Sequence, residues 1–267
     1  MCADRVRMKI ATFNINNINK RLECLLAWLA TAKPDVVCLQ ELKATDDLFP
    51  RVAIESAGYS GIWRGQSAWN GVAIIARDFE PVLTRNALPG DPSDKSSRYI
   101  EAAVGGILVA SIYAPNGNPH PGPKFDAKLA WHHRFEVHAS ELFATGVPVV
   151  LAGDYNIAPA PQDIYSTRFY DDNALIEPES RASYRRLLDQ GWIDAIRKLH
   201  PEATIYTFWD YRRNRWPRNA GLRLDHLLLS RKLEKKLIAA GVDRDVRGAE
   251  GASDHAPVWV ELDIAIL

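Results

Sequence analysis

The segment from residue 149 to residue 159 constrains the fold more than any other part of the chain. It begins with the apolar run VVLA, which ends at Gly153, a pattern that predicts a buried β-strand. Asp154 and Asn156 follow directly, and Pro159 then prevents regular strand pairing. We therefore expect both polar side chains at the C-terminal end of a strand, where open α/β sheets place their chemistry. Asp and Asn also initiate turns, so the pattern becomes informative only where it recurs.

Apolar runs that end in polar residues recur at four other places in the sequence. Their polar residues are Asn14 and Asn16, then Glu41, then Tyr113 and Asn116, and finally Asp254 and His255. Asp225 adds a further point inside a predicted strand. A carboxylate that follows a buried run, as Glu41 does, is costly unless it is paired or binds a metal ion. These positions therefore outline one candidate polar site, although the asparagines alone fit simple turns equally well.

Strands and helices alternate in both halves of the chain. Apolar spacing predicts helices at residues 18–32, 46–57, 124–145 and 180–190, and strands at 8–13, 36–39, 71–77, 99–104, 107–113, 149–152, 222–230 and 258–264. Residues 84–97 form a predicted polar loop, and Gly105-Gly106 predicts a hairpin. The chain lacks an evident linker or repeat. We therefore expect one domain over residues 1–267, an α/β (α+β) four-layer sandwich of two packed, mostly antiparallel or mixed sheets flanked by helices.

The composition restricts the cellular location and the binding partners that we expect for the protein. Basic and acidic residues balance at 33 each, which argues against non-specific binding of polyanions by the whole surface. The sequence contains neither an apolar run of about 18 residues nor a signal-peptide core, so we expect a cytoplasmic protein without membrane contact. Cys2, Cys24 and Cys38 lack metal-site spacing, and the last two are interpreted as buried thiols. His132, His133 and His138 are predicted to be solvated on a surface helix, and Trp28 and Trp131 to lie in the core.

The candidate site is rich in oxygen ligands and poor in sulfur. Carboxylate and amide oxygens suit Mg²⁺ or Mn²⁺, and Mg²⁺ typically uses only one or two protein carboxylates. Glu41, with Asn14 or Asn16 near it, fits that number. A solvated ion pair of Glu41 with Lys43 is the alternative interpretation.

Six motifs in order resemble those of one known family, the exonuclease III family of apurinic/apyrimidinic endonucleases, within the endonuclease/exonuclease/phosphatase superfamily. The motifs are FNIN (13–16), LQELK (39–43), YAPNG (113–117), GDYNIAP (153–159), LRLD (222–225) and SDHAPV (253–258). They span nearly the whole chain. The family pattern is followed less well at Asn17, at Leu222 and in residues 168–182, and these differences concern the balance between abasic-site incision and 3′-end trimming.

The resemblance implies a role for each matching residue. Glu41 would be the main metal ligand, with Asn14, Asn16, Asp154, Asn156, Asp254 and His255 as further candidates around the metal. Asp154 would activate the attacking water, Tyr113 would bind phosphate or assist the leaving oxygen, and Asn14, Asn116 and Asn156 would contact phosphate or hold their neighbours. His255, oriented by Asp225, would donate to a non-bridging oxygen. Whether Asp154 or His255 is the general base stays open.

Local basic and aromatic clusters indicate a nucleic-acid substrate. Arg212, Arg213, Arg215 and Arg218 flank Trp216 in one loop, and Arg181, Arg185 and Arg186 lie in a predicted helix. A solvated surface run is the alternative explanation. Lys43 is a further candidate contact. By resemblance, Phe208, Trp209, Leu222 and Leu224 would line an apolar pocket that admits a flipped-out sugar without a base.

The resemblance, together with the oxygen-rich site and the basic clusters, therefore implies a Mg²⁺- or Mn²⁺-dependent DNA-repair nuclease that acts on double-stranded DNA. It would cut 5′ to abasic sites and trim or unblock 3′ ends, as a cytoplasmic monomer, associated with the nucleoid if the source is bacterial. A phosphodiesterase or phosphatase of the same superfamily that acts on RNA, a phosphoinositide or a sphingolipid is the alternative. A non-catalytic DNA-binding module is the third hypothesis, and the presence of Glu41, Asp154, Asp225 and His255 argues against it.

Overall fold

Two six-stranded β-sheets form the centre of the protein. The computed structural model describes residues 5–165 and 172–265. The first sheet has, in spatial order, β11 (Leu237–Val242), β12 (Val258–Ala265), β1 (Arg5–Asn14), β2 (Val36–Gln40), β4 (Val72–Arg77) and β3 (Tyr59–Arg64). The second has β5 (Val82–Arg85), β6 (Tyr99–Val104), β7 (Ile107–Tyr113), β8 (Val149–Asp154), β10 (Asp225–Leu229) and β9 (Ile193–Asp194).

Each sheet contains one parallel pair of strands, and a helix makes the connection between them. Helix α1 (Leu22–Ala32) joins β1 to β2, and helix α3 (Pro123–Ala144) joins β7 to β8. The other pairs in both sheets are antiparallel. Because parallel strands end at the same edge, the polar residues after these four strands lie at two adjoining sheet edges. The other helices are α2 (Arg51–Ser56), α4 (Pro178–Asp189), α5 (Ala195–Leu199) and α6 (Arg231–Glu234).

Apolar side chains pack in three layers. Between the sheets, residues such as Ile10 and Ile74 of the first sheet pack with Val150 and Leu227 of the second. Outside the first sheet, α1 contributes Leu25, Trp28 and Leu29; outside the second, α3 and α4 contribute Trp131, Phe135, Tyr184 and Leu187. This order of helix, sheet, sheet and helix confirms the predicted four-layer sandwich. Among the described residues, no helix combines the length and apolar character needed to cross a membrane.

Several predicted boundaries differ from the structure for local reasons. The helix predicted at 18–32 begins only at Leu22, after Asn16 and Asn17 adopt positive φ values of 48° and 88°. The helix predicted at 46–57 is divided at Pro50 into a 3₁₀ turn and α2. The strand predicted at 222–230 is shorter, because Leu222 forms isolated bridges with residues outside β10. Strand β5 enters the predicted loop 84–97, and part of the segment 168–182 lies outside the described residues.

The prediction of solvated histidines on the long helix was wrong for two of the three. Helix α3 packs against the second sheet on one side and contacts α4 on another, so more than one of its faces is covered. His132 and His138 are buried, and His138 Nε2 lies 3.1 Å from both the Tyr99 hydroxyl and Glu101 Oε2. His133 is exposed as predicted. Cys38 is buried but Cys24 is only half-buried.

Candidate active site

Strand register brings the acidic residues of the second sheet together. Asp154, the last residue of β8, is paired with Tyr113 on one side and with Asp225 on the other. From the first sheet, Asn14 Nδ2 donates to Asp154 Oδ2 at 3.0 Å and to Glu41 Oε1 at 2.9 Å. One amide group therefore links carboxylates that are carried by two different sheets.

Glu41 lies in a tight polar cluster with a lysine. Its backbone φ is 53°, and that of Lys43 is 49°, so the chain curls directly after β2. Lys43 Nζ lies 2.8 Å from Glu41 Oε2 and donates to Asn16 Oδ1 at 2.6 Å. Asn16 Nδ2 in turn donates to Asp254 Oδ1 at 2.9 Å. Burial opposes ionisation, but Lys43 and Asn14 together hold the pKa of the Glu41 carboxyl below its usual range. Glu41 is therefore a carboxylate whose oxygens face cationic or donor groups.

His255 and Asp225 form a buried hydrogen-bonded couple. His255 Nδ1 lies 2.8 Å from Asp225 Oδ2, which also accepts a hydrogen bond from the Thr207 hydroxyl at 2.6 Å. Burial alone would lower the pKa of His255, but the charge and hydrogen bond of Asp225 raise it to about 10. The other ring nitrogen, Nε2, lies 3.9 Å from Asp154 Oδ2. The couple therefore presents a cationic imidazole toward Asp154.

Asp154 is buried at the centre of this arrangement. Its Oδ1 accepts a hydrogen bond from the backbone N–H of Asn156 at 2.9 Å, and the Asn156 amide approaches Oδ2 at 3.3 Å. Burial raises the pKa of Asp154 to about 7; His255 opposes this rise, whereas Asp225 and Glu41 add to it. A carboxyl group that titrates near neutral pH can accept a proton from a water molecule and release it again.

Tyr113 and Asn116 complete the polar wall beyond β7. Asn116 Nδ2 donates to Asn156 Oδ1 at 3.0 Å. Burial and the negative charge of Glu41 raise the pKa of Tyr113 well above its usual value, so its hydroxyl keeps its proton. The guanidinium of Arg98 lies 4.6 Å from the centre of the Tyr113 ring. Arg98 was not among the residues predicted from sequence, although it directly precedes β6 and thus lies at a strand end.

Most of the predicted polar residues line one cavity of about 850 Å³, whereas Asn14, Asn16, Lys43 and Asp225 are outside its lining. Its walls include Glu41, Tyr113, Asn116, Asp154, Asn156, Asp254 and His255, together with Trp69, Leu175, Phe208 and Leu224. The Phe208 ring lies 4.9 Å from the His255 ring. Trp209 and Leu222 were expected to line the apolar pocket, but both are buried beneath it. Leu222 pairs with the backbone of Phe208 and supports the pocket from behind.

The basic loop presents fewer arginines to solvent than its sequence suggests. Arg212 and Arg213 are exposed, and Arg212 borders the cavity. Arg215 is only 5% exposed, so its predicted DNA contact does not fit its position. Trp216 is half-buried, with the Trp209 ring 5.0 Å away and the Arg244 guanidinium 4.3 Å away.

The second basic group lies on α4. Arg186 donates two hydrogen bonds to the Glu136 carboxylate on α3, and Arg181 Nε donates to the carbonyl of Ala158. Arg185 is exposed. At least two of the three arginines therefore have structural partners within the protein.

Two supporting residues were missed by the sequence analysis. Ser253 Oγ donates to the backbone carbonyl of Asn14 at 2.6 Å and fixes the end of β1. Lys128 on α3 is fully buried beneath the cavity, and burial lowers its pKa to about 7. A lysine between Phe125 and Trp131, at the spacing of a buried helix face, was the available signal.

Asp154, Asp225 and His255 lie close enough to hold a metal ion together. Each offers one ligand atom, and these atoms lie within 4.8 Å of one another. Asp225 Oδ2 also accepts hydrogen bonds from His255 and Thr207, so this oxygen already has two partners within the protein. The carboxylates of Glu41 and Asp254 face the same cavity and offer further oxygen ligands.

Known proteins resemble this chain over nearly its whole length. Residues 11–255 match the Endonuclease/Exonuclease/phosphatase family. Exodeoxyribonuclease III of Haemophilus influenzae is 35% identical over 269 aligned residues, which cover 95% of this chain and 99% of that protein. An AP endonuclease from Archaeoglobus fulgidus superposes with a TM-score of 0.91 at 34% identity, over 96% of this chain and 100% of its own. A 3′ phosphatase variant from Neisseria, bound to a product DNA hairpin, gives a TM-score of 0.91 at 38% identity over the same fractions.

Proposed function

Because the chain belongs to the endonuclease/exonuclease/phosphatase family and is a DNA-repair nuclease of the exonuclease III type, we propose that it acts on two kinds of DNA lesion. It hydrolyses the phosphodiester 5′ to abasic sites in duplex DNA, and it removes nucleotides or blocking groups from 3′ ends. The relatives supply the class of reaction, since they include an AP endonuclease and a 3′ phosphatase. The family assignment made from six sequence motifs is thereby confirmed.

One observation carries the proposal: a proton acceptor and a cationic donor lie next to each other on the wall of a cavity that a further carboxylate also lines. Asp154 Oδ2 and His255 Nε2 are 3.9 Å apart, and Glu41 borders the same cavity. Phosphodiester hydrolysis needs an aligned water, neutralised charge on the phosphoryl oxygens and a stabilised leaving oxygen. The site offers a side chain for each of these needs.

In the proposed reaction, Asp154 accepts a proton from the attacking water as the new oxygen–phosphorus bond forms. The bond between phosphorus and the 3′ oxygen of the preceding nucleotide breaks, and that oxygen takes a proton from solvent to become the 3′-hydroxyl. His255 donates a hydrogen bond to a non-bridging oxygen, and Tyr113, which keeps its proton, donates to the phosphate or to the leaving oxygen. The pKa values of Asp154 and His255 depend on each other. These two residues are therefore expected to gain and lose protons together during the reaction.

The residues around Glu41 fit a divalent cation, because their oxygens already converge on one cationic group. Glu41 Oε2 and Asn16 Oδ1 both lie within 2.8 Å of Lys43 Nζ. This oxygen-rich set suits Mg²⁺ or Mn²⁺, and a bound cation supplies charge neutralisation at the phosphate. We assign Glu41 as the main ligand, with Asn16 and Asp254 beside it. A cation at Glu41 would displace the Lys43 ammonium, which could then bind the substrate phosphate. We therefore assign Lys43 to substrate binding.

Asn14 and Asn156 are assigned as positioning groups rather than metal ligands. The Asn14 amide donates to two carboxylates, and its oxygen accepts from the backbone N–H of Asn16 at 3.1 Å. Asn156 donates to the carbonyl of Ala114 and accepts from Asn116. Their polar atoms are thus already committed to holding neighbours in place.

The apolar part of the cavity supports recognition of a sugar that lacks its base. Phe208, Leu224 and Leu175 line the wall next to His255. Such a surface can receive a deoxyribose that has rotated out of the duplex, whereas a full nucleotide needs more space and hydrogen-bond partners for its base. All of the proposed residues come from one chain. We therefore propose a single-domain monomer that acts on chromosomal DNA in the cytoplasm, at the nucleoid if the source is bacterial.

A labelled duplex with one abasic site tests the proposed function directly. We expect nicking 5′ to the lesion with Mg²⁺ or Mn²⁺, a 3′-hydroxyl product, and loss of nicking when a chelator is added. A duplex that carries a 3′-phosphate tests end cleaning in parallel. DNA binding without cleavage would support a non-catalytic module, and cleavage only of RNA, a phosphoinositide or a sphingolipid would support the alternative substrates.

Replacing Arg212 and Arg213 together by Ala is expected to weaken duplex binding and its salt dependence. Each phosphate contact contributes about 0.9 to the slope of log affinity against log salt, so the slope should fall by about 2. Fluorescence anisotropy across a salt series measures this slope. The matched control is the Arg231→Ala, Lys232→Ala pair, which removes two exposed charges from α6, outside the cavity wall. Equal slopes for the two double variants would contradict a DNA contact at the loop.

A further inference from the structure

The buried ammonium of Lys128 lies beneath the loops that form the active cavity. The side chain is 0% exposed, and Nζ donates to three backbone carbonyls: Asn156 at 2.6 Å, Ala174 at 2.9 Å and Asn116 at 3.2 Å. These carbonyls belong to three separate loops, which follow β7, follow β8 and precede α4. A buried charge is costly unless all its donors are used, and here one cation ties three chain segments to one helix.

The loop after β7 is shaped to lie directly on this lysine. Gly117 has a φ of 88°, and a Cβ added there would approach Lys128 Cδ to 2.7 Å and Ala174 Cβ to 3.1 Å. Only a residue without a side chain therefore allows the loop to contact the Lys128 stem this closely. The contact fixes the distance between helix α3 and the loop that carries Asn116.

The three loops are also joined by a chain of amides that ends at Asp154. Asn118 Nδ2 donates to Asn116 Oδ1 at 2.8 Å and to Asn173 Oδ1 at 3.1 Å. Asn116 then donates to Asn156, whose amide faces Asp154 Oδ2. Movement of any one loop would therefore turn these amides relative to the reacting groups.

We propose that Lys128 is a positioning residue for the reaction: its ammonium holds the three loops so that Asn116 and Asn156 keep Asp154 in its reactive orientation. This inference rests on the proposed nuclease function, but it concerns a residue that lies outside the cavity wall. Small misplacements of reacting groups can cost about 10²-fold in rate. Lys128 therefore acts on turnover more than on substrate affinity.

The test compares Lys128→Met with Phe135→Leu, a variant in the apolar core of the same helix. Turnover and KM are measured on abasic duplex well below both melting temperatures. We expect Lys128→Met to lower kcat by at least about 20-fold with KM changed less than about threefold. Phe135→Leu should lower the melting temperature yet keep kcat near the wild-type value. If Lys128→Met folds poorly, Lys128→Gln, whose neutral amide group retains two N–H donors, should give an intermediate kcat.

Chemical rescue separates the role of the ammonium from simple packing. Propylammonium replaces the atoms that Lys128→Ala lacks, and sodium chloride at equal ionic strength is its control. Recovery of kcat by the amine alone supports positioning by the ammonium. A kcat within threefold of the wild type in Lys128→Met, or a loss that follows melting temperature and is not rescued, would overturn the inference. An inactive wild-type protein would instead refute the proposed function, so the two failures are distinguishable.

Discussion

Asp154→Asn should lower kcat on abasic duplex DNA by about 10³-fold while leaving the melting temperature close to that of the wild type. A carboxamide cannot accept the proton of the attacking water. Burial already raises the pKa of Asp154 to about 7, so the neutral amide resembles a form that the folded protein readily accommodates. Single-turnover rates with saturating enzyme and metal measure the chemical step, and anisotropy measures binding separately.

Asp210→Asn is the matched control for this change. Asp210 borders the same cavity, but its carboxylate accepts hydrogen bonds from the exposed Arg212. We expect less than a tenfold change in rate for this variant. An Asp154→Asn enzyme that retained a tenth of the wild-type rate would contradict the assignment of Asp154 as proton acceptor.

His255→Ala should lower kcat by roughly 10²- to 10³-fold, because it removes a cationic donor at the phosphoryl oxygen. Asp225→Asn tests whether the charge of Asp225 keeps His255 protonated, because asparagine has nearly the same shape as aspartate but carries no charge. Asp225 is the principal cause of the raised pKa of His255, so the histidine of this variant loses its proton at lower pH. We expect the rate of Asp225→Asn to decline at a lower pH than that of the wild type. Coincident alkaline limbs in the two pH–rate profiles would argue against a cationic His255.

The strand ends were predictable from sequence because their signal is local. An apolar run precedes each of Asp154, Asn14 and Glu41. Each run predicts where a strand ends and which polar side chain follows it. The hydrophobic periodicity of the sequence did not predict that these strand ends lie close together in space. Their proximity depends on the register between β8 and β10 and on the packing of two sheets, and the ordered motifs of the family resemblance supplied that information.

The failed predictions have a common physical cause, which is coverage by elements distant in sequence. His138 was assigned to the surface because α3 has polar residues around its circumference, but the helix meets both a sheet and α4. Arg215 was assigned to the substrate because its loop lies near Asp225, and Trp209 because of the family resemblance, yet both are buried. A residue that is close to a site in sequence is often close to it in space. Tertiary packing decides whether its side chain is exposed to solvent or buried.

The amide of Asn14 spans the seam between the two sheets, since it donates to Glu41 on one side and to Asp154 on the other. Cutting ability is consequently a property of the assembled sandwich and of neither half by itself. A sideways slip of one sheet by little more than an atomic radius would separate the two acids before the hydrophobic interior opened. We therefore expect catalytic activity to be lost before the hydrophobic core opens when the packing of the two sheets is weakened.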